Sequence, residues 1–317
     1  RQNMTVPMGL RDIVGRVLLS LALAVLPPSW ALASSSLELD PSRVAWSRLL
    51  LRASDARGDV SIEIRLSPVP PAELASVLAT GLGRAIEPPA DAPVWLMTAN
   101  IEVRDYQKNY RTDVWFVPRD ASALQRRRDK IGKSANRKTF RYLLHGVQRV
   151  RLEPDGRQEA KLPPEQWTII KENFYPYGPA EADCSVLSDP ALLLFIASAG
   201  VLTGEGERLD VCVFNKQTLY RARLSAAALQ PLAVDYAEIG PESRNDIERD
   251  ITARKIRLEA RSSGAGDFEP DPFEFFEMPG DIEIFLDESS RIPVQVVGNV
   301  PGLGRIVFTL SEVTLSR

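Results

Sequence analysis

Short stretches in which apolar and polar residues alternate run along most of the chain. From Asp59 to Leu66 every second residue is apolar, and polar residues occupy the positions between them. Successive side chains of a strand point to opposite faces, so this alternation predicts a half-buried β-strand. Similar stretches lie at 44–51, 94–103, 110–117, 139–144, 147–152, 209–214, 219–224, 255–259, 282–286, 294–297 and 305–310. So many short strands at hairpin spacing predict a mainly β fold, built as a large curved antiparallel sheet or an incomplete barrel.

Two helices interrupt the strand pattern. Pro71 to Leu78 is short and weakly amphipathic, as is typical of a peripheral helix. In the second, Asp189 is the predicted N-cap, Pro190 opens the first turn, and Gly200 ends an apolar run over 191–199. A helix that is apolar on nearly all sides is buried, so we expect it inside the curved sheet as core or, alternatively, as a ligand-gating element. If that interior is hollow, the candidate ligand-facing residues are Leu192, Leu193, Phe195 and Ile196.

The first 33 residues have the pattern of a secretory signal peptide. A basic stretch precedes the apolar run 17–26, two prolines follow it, and Ala31-Leu32-Ala33 forms a small-residue cleavage site. The alternative is an uncleaved anchor, but the run is about half of the roughly 20 residues that a membrane span needs. We therefore predict cleavage after Ala33. The remaining 34–317 would form a single β-rich periplasmic domain with no transmembrane span.

The chain has two cysteines, Cys184 and Cys212. In an oxidising compartment two cysteines usually pair, so export predicts a disulfide between them. The closed loop would be roughly 29 residues long, and chain entropy then contributes about 3.5 kcal/mol to stability. The alternative is a pair of isolated buried thiols, because a free cysteine often behaves as a small apolar residue.

Charge is spread unevenly along the chain. The overall balance is 39 Lys+Arg against 42 Asp+Glu, which argues against a dedicated nucleic-acid binder. However, Arg119 to Arg141 holds nine basic residues and two acids, whereas 267–290 holds nine acids and no Lys or Arg. The two segments could pair within the molecule, or the basic one could form a patch for anionic lipid, polysaccharide or an acidic partner. The candidate patch residues are Arg126, Arg127, Arg128, Lys130 and Lys133.

The chemistry that most enzymes need is not evident in the sequence. The single histidine, His145, lies at a predicted hairpin turn with no nucleophile specified near it, and one histidine nearly excludes His-rich metal sites. Asp281, Glu283 and Asp287 alternate along one predicted strand, which would admit carboxylate chemistry or weak calcium binding; a solvated strand face is the alternative. We assign no catalytic, cofactor-binding or metal-binding residue and expect a protein that is not an enzyme.

Several motifs occur along the chain in an order and spacing that resemble those of a known family. They are TDVWF at 112–116, KTFRYLLHGVQRVRLEP at 138–154, SDPALLLFIASAG at 188–200, VFNKQTLYRARL at 213–224 and the segment 280–310. In this order the chain resembles an uncharacterised family of exported Gram-negative proteins, domain of unknown function 3108. The resemblance implies a periplasmic, β-rich protein without an assigned activity, so it transfers no catalytic residue.

The sequence leads to three functional hypotheses. The first is a binding module for a lipid, lipoprotein or other envelope amphiphile, which requires an apolar cavity on the concave face of the sheet. The second is a structural or assembly partner in the envelope that docks an acidic protein through Arg119 to Arg141. The last is a hydrolase that uses Glu283 and Asp287. The sequence does not decide the oligomeric state.

Overall fold

Antiparallel strands make up most of the fold. The computed structural model describes residues 37, 39–55, 58–81, 83–103, 108–132, 134–178, 184, 186–263 and 271–316, all within the compact unit Ser34–Arg317. Lys133 and the predicted signal peptide at 1–33 lie outside the described residues. The strands of the described part are β1 (Trp46–Asp55), β2 (Gly58–Val69), β3 (Val94–Val103), β4 (Lys108–Val117), β5 (Ser122–Ile131), β6 (Asn136–Leu143), β7 (Gly146–Glu153), β8 (Ile169–Pro176), β9 (Leu187–Ser188), β10 (Arg208–Asn215), β11 (Thr218–Ile239), β12 (Arg244–Ser262), β13 (Glu274–Phe275), β14 (Met278–Pro279), β15 (Ile282–Asp287), β16 (Pro293–Val300) and β17 (Gly304–Leu315).

Fifteen of these strands form one sheet, in the order β8-β7-β6-β5-β4-β3-β2-β1-β17-β16-β15-β12-β11-β10-β9. Neighbours in this order are antiparallel except for β9 and β10. The far end of β11 also pairs with β17 in parallel, through Ala237 opposite Glu312 and Glu238 opposite Val313. This extra pairing closes β17, β16, β15, β12 and β11 into a ring while β8 remains an open edge. The prediction of a large curved antiparallel sheet or incomplete barrel is confirmed.

The helices of the described part are short. They are α1 (Pro71–Val77), α2 (Gly156–Glu159) and α3 (Leu193–Ala199). A 3-10 turn at Pro190–Leu192 leads directly into α3, and Asp189 accepts a hydrogen bond from the Ala191 amide as its N-cap. No helix in this part of the chain is long and apolar enough to cross a membrane.

The buried α3 fills the concave face of the sheet. Every residue of α3 is buried. The ring of Phe195 packs edge-to-face against Phe116, with ring centroids 5.0 Å apart, and against Trp95 at 6.0 Å. The indole of Trp46 on β1 donates to Ser198 Oγ at 3.2 Å, so the polar group of each partner is satisfied inside the core. The helix is therefore part of the main core rather than a separate layer.

The disulfide between Cys184 and Cys212 is present, with 5.8 Å between the two Cα atoms. It ties the segment before β9 to the middle of β10. β9 pairs in parallel with the same part of β10, through Leu187 opposite Cys212. The crosslink thus fixes the chain just ahead of the N-cap of the buried helix.

Candidate functional site

The basic segment is divided between the two faces of the sheet. On β5, Arg126 lies opposite Val114 of β4 and Phe140 of β6, which belong to the same core as α3. Arg126 and Arg128 therefore project from the concave face, whereas Arg127, one residue along, projects from the convex face. The sequence predicts one patch that holds Arg126, Arg127 and Arg128, whereas the structure divides them between two faces.

The convex half of the segment is neutralised within the molecule. Arg127 Nη2 lies 2.7 Å from Oδ2 of Asp113, a carboxylate that is almost completely buried. On the same face, Arg137 of β6 makes two hydrogen bonds of 2.7 Å to the carboxylate of Asp129. These two arginines are held in ion pairs within the molecule. Arg119, at the start of the segment, stays mostly exposed, and docking through Arg119 to Arg141 stays a prediction.

The concave half forms a cluster that extends beyond the predicted segment. We define the concave cation cluster as Arg126 and Arg128 of β5, Lys138 of β6, and Arg149 and Arg151 of β7. Lys138 lies directly between Arg128 and Arg151 in the strand register. Like charges directly opposite each other destabilise a sheet, so this row is an energetic burden on the fold.

The two arginines of β5 reach partners across the interior. Nη1 of Arg126 lies 3.1 Å from Oδ2 of Asp189, and its guanidinium carbon lies 4.1 Å from the ring centroid of Phe140. Arg128 forms an ion pair with Glu277, which lies in the turn between β13 and β14. Each of these two side chains is thus held by one carboxylate on the concave side.

The two arginines of β7 are positioned by their neighbours on the open edge. Arg149 donates to the side-chain oxygen of Asn173 on β8 at 2.6 Å, and its guanidinium carbon lies 5.3 Å from the ring centroid of Tyr175. Arg151 pairs with Glu153 of its own strand. These contacts leave the Nε atoms of Arg149 and Arg151, and that of Arg126, buried without a hydrogen-bond partner among the described residues.

Lys138 is the least compensated member of the cluster. Burial lowers its pKa to about 8, and the surrounding arginines act in the same direction. In the described part of the chain its ammonium group has neither an ion pair nor a side-chain hydrogen bond. Three of the five cations contact a carboxylate, namely Asp189, Glu277 or Glu153, and Glu153 is shared with Lys171 of β8. The cluster therefore carries an excess of at least two positive charges.

An apolar recess of about 300 Å³ adjoins the cluster. Tyr110 belongs to both, because its side chain lines the recess and its ring centroid lies 4.9 Å from the guanidinium carbon of Arg128. Glu277, the partner of Arg128, also lies on the wall of the recess. Other lining residues include Ile62, Ile101, Val103, Phe276 and Val300, and a second acid, Glu274, which pairs with Lys216. An apolar surface and a cationic surface therefore meet at Tyr110 and Arg128.

The residues predicted to face a ligand lie elsewhere. Leu192, Leu193, Phe195 and Ile196 are each fully buried in the main core. They pack the centre of the fold, and the recess next to the cluster is lined by other residues. Lys130 follows Arg128 on the concave face of β5, opposite Tyr110, and is not used by the ion pairs described above.

The carboxylates and the histidine that the sequence singled out do not come together as a reactive site. Glu283 pairs with Lys255 and with Arg305, each at 3.0 Å. Asp287 is buried and accepts hydrogen bonds from the amide and hydroxyl of Ser289. The side chain of His145 is exposed at the turn between β6 and β7. Within the described residues no group of three or more His, Cys, Asp or Glu side chains could hold a metal ion.

Sequence reasoning missed Arg149 and Arg151, although the signal was present. From Arg149 to Leu152, basic and apolar residues alternate, which places both arginines on one face of a predicted strand. Lys138 was counted in the basic segment but not selected as a site residue. Only the register of three strands shows that these residues share a face with Arg126 and Arg128.

Comparisons with known proteins assign no activity. No family model matches the chain, and no curated protein matches it. Among solved structures, the chain is similar to the crystal structure of a beta-barrel-like protein of domain of unknown function DUF1849 from Brucella abortus. The identity is 10% and the TM-score 0.42, with 87% of this chain and 99% of that chain covered. That protein is also of unknown function, and the resemblance to domain of unknown function 3108 stays a prediction.

Proposed function

We propose that this chain is a non-enzymatic binding module for an anionic amphiphile. The apolar part of the ligand would occupy the recess beside Tyr110, and its charged group would lie against the concave cation cluster. The observation that carries the proposal is the shared wall, where the ring of Tyr110 lines the recess and contacts Arg128. Ligand sites usually combine an apolar cavity with a few convergent polar groups, and both are present at this point.

The size of the recess limits what it could hold. A volume of about 300 Å³ lies at the lower end of the range for ligand cavities. It would accept the part of an acyl chain nearest the head group rather than a whole lipid. Each methylene moved out of water contributes about 0.8 kcal/mol, so even a short apolar segment gives useful affinity when it is combined with charge pairing.

We also propose that the protein works in the bacterial periplasm, as a member of the domain of unknown function 3108 family. The signal-like pattern at 1–33 and the family motifs support this proposal. The bond between Cys184 and Cys212 supports it further, because disulfides persist in oxidising compartments. Amphiphilic molecules of the cell envelope are the ligands available there. Subcellular fractionation of a tagged full-length chain tests the location, and recovery with the cytoplasmic fraction would contradict it.

The binding proposal is tested by filling the recess. Dansyl-undecanoic acid, an anionic fluorescent amphiphile, should bind the wild-type protein and increase in emission. Val103→Trp places a bulky ring in the recess and should weaken binding at least about tenfold. The matched control is Val307→Trp, since Val307 is an exposed valine on β17. Equal binding by both variants, or no binding by the wild-type protein, would refute an amphiphile site at this recess.

A further inference from the structure

We infer that the concave cation cluster binds a phosphate-type dianion, with Lys138 at the centre of the site. This inference rests on the proposed function only in identifying the head group of the amphiphile as a phosphate monoester. The anion site itself is built from the cluster alone. The same chemistry could come from a lipid head group or from a free phosphate, and the experiment below separates these sources.

The strand register brings the cations to one place. Arg128 and Arg151 are the direct cross-strand neighbours of Lys138, on β5 and β7 respectively. Two residues along, Arg126 and Arg149 flank Phe140 in the same way. Side chains two positions apart on a strand share a face, so four guanidinium groups surround one ammonium group. The row continues on β8, where Lys171 lies opposite Arg151.

The cluster has more positive charge than the neighbouring carboxylates balance. Arg126, Arg128 and Arg151 each pair with one carboxylate, whereas Lys138 and Arg149 contact none among the described residues. Because Glu153 also pairs with Lys171, the excess is at least two positive charges. A monocarboxylate would balance only one of them. A phosphate monoester at neutral pH carries close to two negative charges and offers three acceptor oxygens. Arginine presents a planar fork of donors that suits such an oxyanion, and lysine adds a point charge.

A purely structural role does not account for the row. Directly opposed like charges lower the stability of a sheet, and the row Arg128–Lys138–Arg151 places three of them side by side. Local departures from what favours stability are expected at binding sites, where the ligand provides the missing compensation.

The experiment uses isothermal titration calorimetry of the full chain with inorganic phosphate at constant ionic strength. We expect saturable phosphate binding to the wild-type protein and a phosphate-dependent rise in Tm. Lys138→Gln should weaken phosphate binding by about tenfold or more, since a hydrogen bond to a charged group is lost. Lys161→Gln, at an exposed lysine away from the cluster, should bind phosphate like the wild type. Arg149→Gln serves as a second variant if Lys138→Gln does not fold.

A comparison of dihexanoyl phosphatidic acid with inorganic phosphate separates the two sources of phosphate. If the cluster receives a lipid head group, the phosphatidic acid should bind more tightly than inorganic phosphate, and Lys138→Gln should weaken both. Equal affinity for phosphatidic acid and inorganic phosphate identifies a site for free phosphate and also supports the inference. Absence of phosphate binding to the wild-type protein, or binding that Lys138→Gln and Arg149→Gln leave unchanged, overturns it. Dansyl-undecanoic acid binding that persists in that case would leave the proposed function standing without the phosphate site.

Discussion

Asp189 and Arg291 stand at opposite ends of the buried helix α3 and its leading turn. Asp189 caps the start, accepting hydrogen bonds from the Ala191 amide at 3.0 Å and from the Tyr142 hydroxyl at 2.6 Å. Arg291 closes the end, where its guanidinium donates to backbone carbonyls of the last turn and of the residues that follow. A negative charge at the first turn and a positive charge at the last turn both interact favourably with the helix dipole. The pair allows a short helix to lie in the core with its end groups satisfied.

Replacement of Arg291 by methionine should strongly destabilise the fold. The guanidinium lies 2.7 Å from the Ala197 carbonyl and 3.0 Å from the Gly200 carbonyl, and it also reaches Leu202 and Ser198. Methionine fills much of the same volume but donates no hydrogen bond, so several buried carbonyls lose their partner. We expect a loss of about 3–5 kcal/mol in the free energy of unfolding, measured by urea denaturation.

Arg305→Met is the control for this substitution. Arg305 is mostly exposed and pairs with Glu283 at 3.0 Å, so its removal should change the free energy of unfolding by less than about 1 kcal/mol. If Arg291→Met proved as mild as Arg305→Met, the guanidinium would not be what holds the end of the helix.

The disulfide between Cys184 and Cys212 fixes the chain at the N-terminal end of α3. Cys184→Ala together with Cys212→Ala should lower the free energy of unfolding by about 2–4 kcal/mol, because the unfolded chain regains the entropy of a closed loop. Denaturation with and without a reductant measures the effect. The wild-type protein in reductant should match the double variant in oxidising buffer. A double variant as stable as the oxidised wild type would show that the crosslink has no effect on folding.

The sequence predicted the strands that have an apolar face and missed those whose sequence is mainly polar. β2 has strict alternation and was found, whereas β5, with sequence SALQRRRDKI, is mostly polar on both faces. β8 is an open edge strand whose side chains are mainly exposed, and it also lacks an apolar period. The distal halves of β11 and β12 extend far past their predicted cores at 219–224 and 255–259. Alternation reports burial on one side, so a strand that is polar on both sides gives no signal.

The candidate site could be predicted from the sequence only in part, for a related reason. Composition located the basic segment, but a step of one residue along a strand moves a side chain to the opposite face. Arg127 therefore forms an ion pair with Asp113 on the convex side, while Arg126 and Arg128 lie beside Lys138 on the concave side. Without the pairing of β5, β6 and β7, the cluster cannot be distinguished from a solvated surface.

The convex arginine gives a prediction that separates its role from the cluster. Arg127→Met removes the ion pair to Asp113, which remains buried with contacts to Arg111 and Thr98. We expect a loss of about 1–3 kcal/mol in the free energy of unfolding, since a buried carboxylate loses a charged donor. Phosphate binding by the folded variant should stay within about twofold of the wild-type value, because the side chain lies on the other face.

Arg223→Met is the matched control. It breaks the pair with Asp210, in which both side chains are largely exposed, and should cost less than about 1 kcal/mol. A tenfold loss of phosphate affinity in folded Arg127→Met would contradict the division of the basic segment between two faces.

Lys138 makes the stability of the fold depend on pH in the alkaline range. Burial and then the surrounding arginines lower its pKa to about 8 in the folded protein, whereas an unperturbed lysine has a pKa of about 10.4. Between these values the unfolded chain holds a proton that the folded chain has released. The free energy of unfolding should therefore rise with pH in this window, by at most about 1.4 kcal/mol per pH unit. As the pH falls through about 8 this contribution is lost, because Lys138 is then protonated in both states.

Comparison of the wild-type protein with Lys138→Gln isolates this titration from all others. Urea denaturation at several values between about pH 7.5 and 10 should show the wild type gaining stability relative to the variant as the pH rises. Lys161→Gln should follow the wild type, and a wild-type pH dependence identical to that of Lys138→Gln would contradict the assignment.

The affinity for phosphate should change with pH in the opposite sense to the stability. A bound dianion favours protonated Lys138, so the affinity of the protein for phosphate must fall above about pH 8. The charged and titratable side chains on the elements around Lys138, common to both proteins, are Arg126, Arg128 and Lys130 on β5, Arg149, Arg151 and Glu153 on β7, Lys171 on β8, Tyr110 on β4, and Glu277 in the turn before β14.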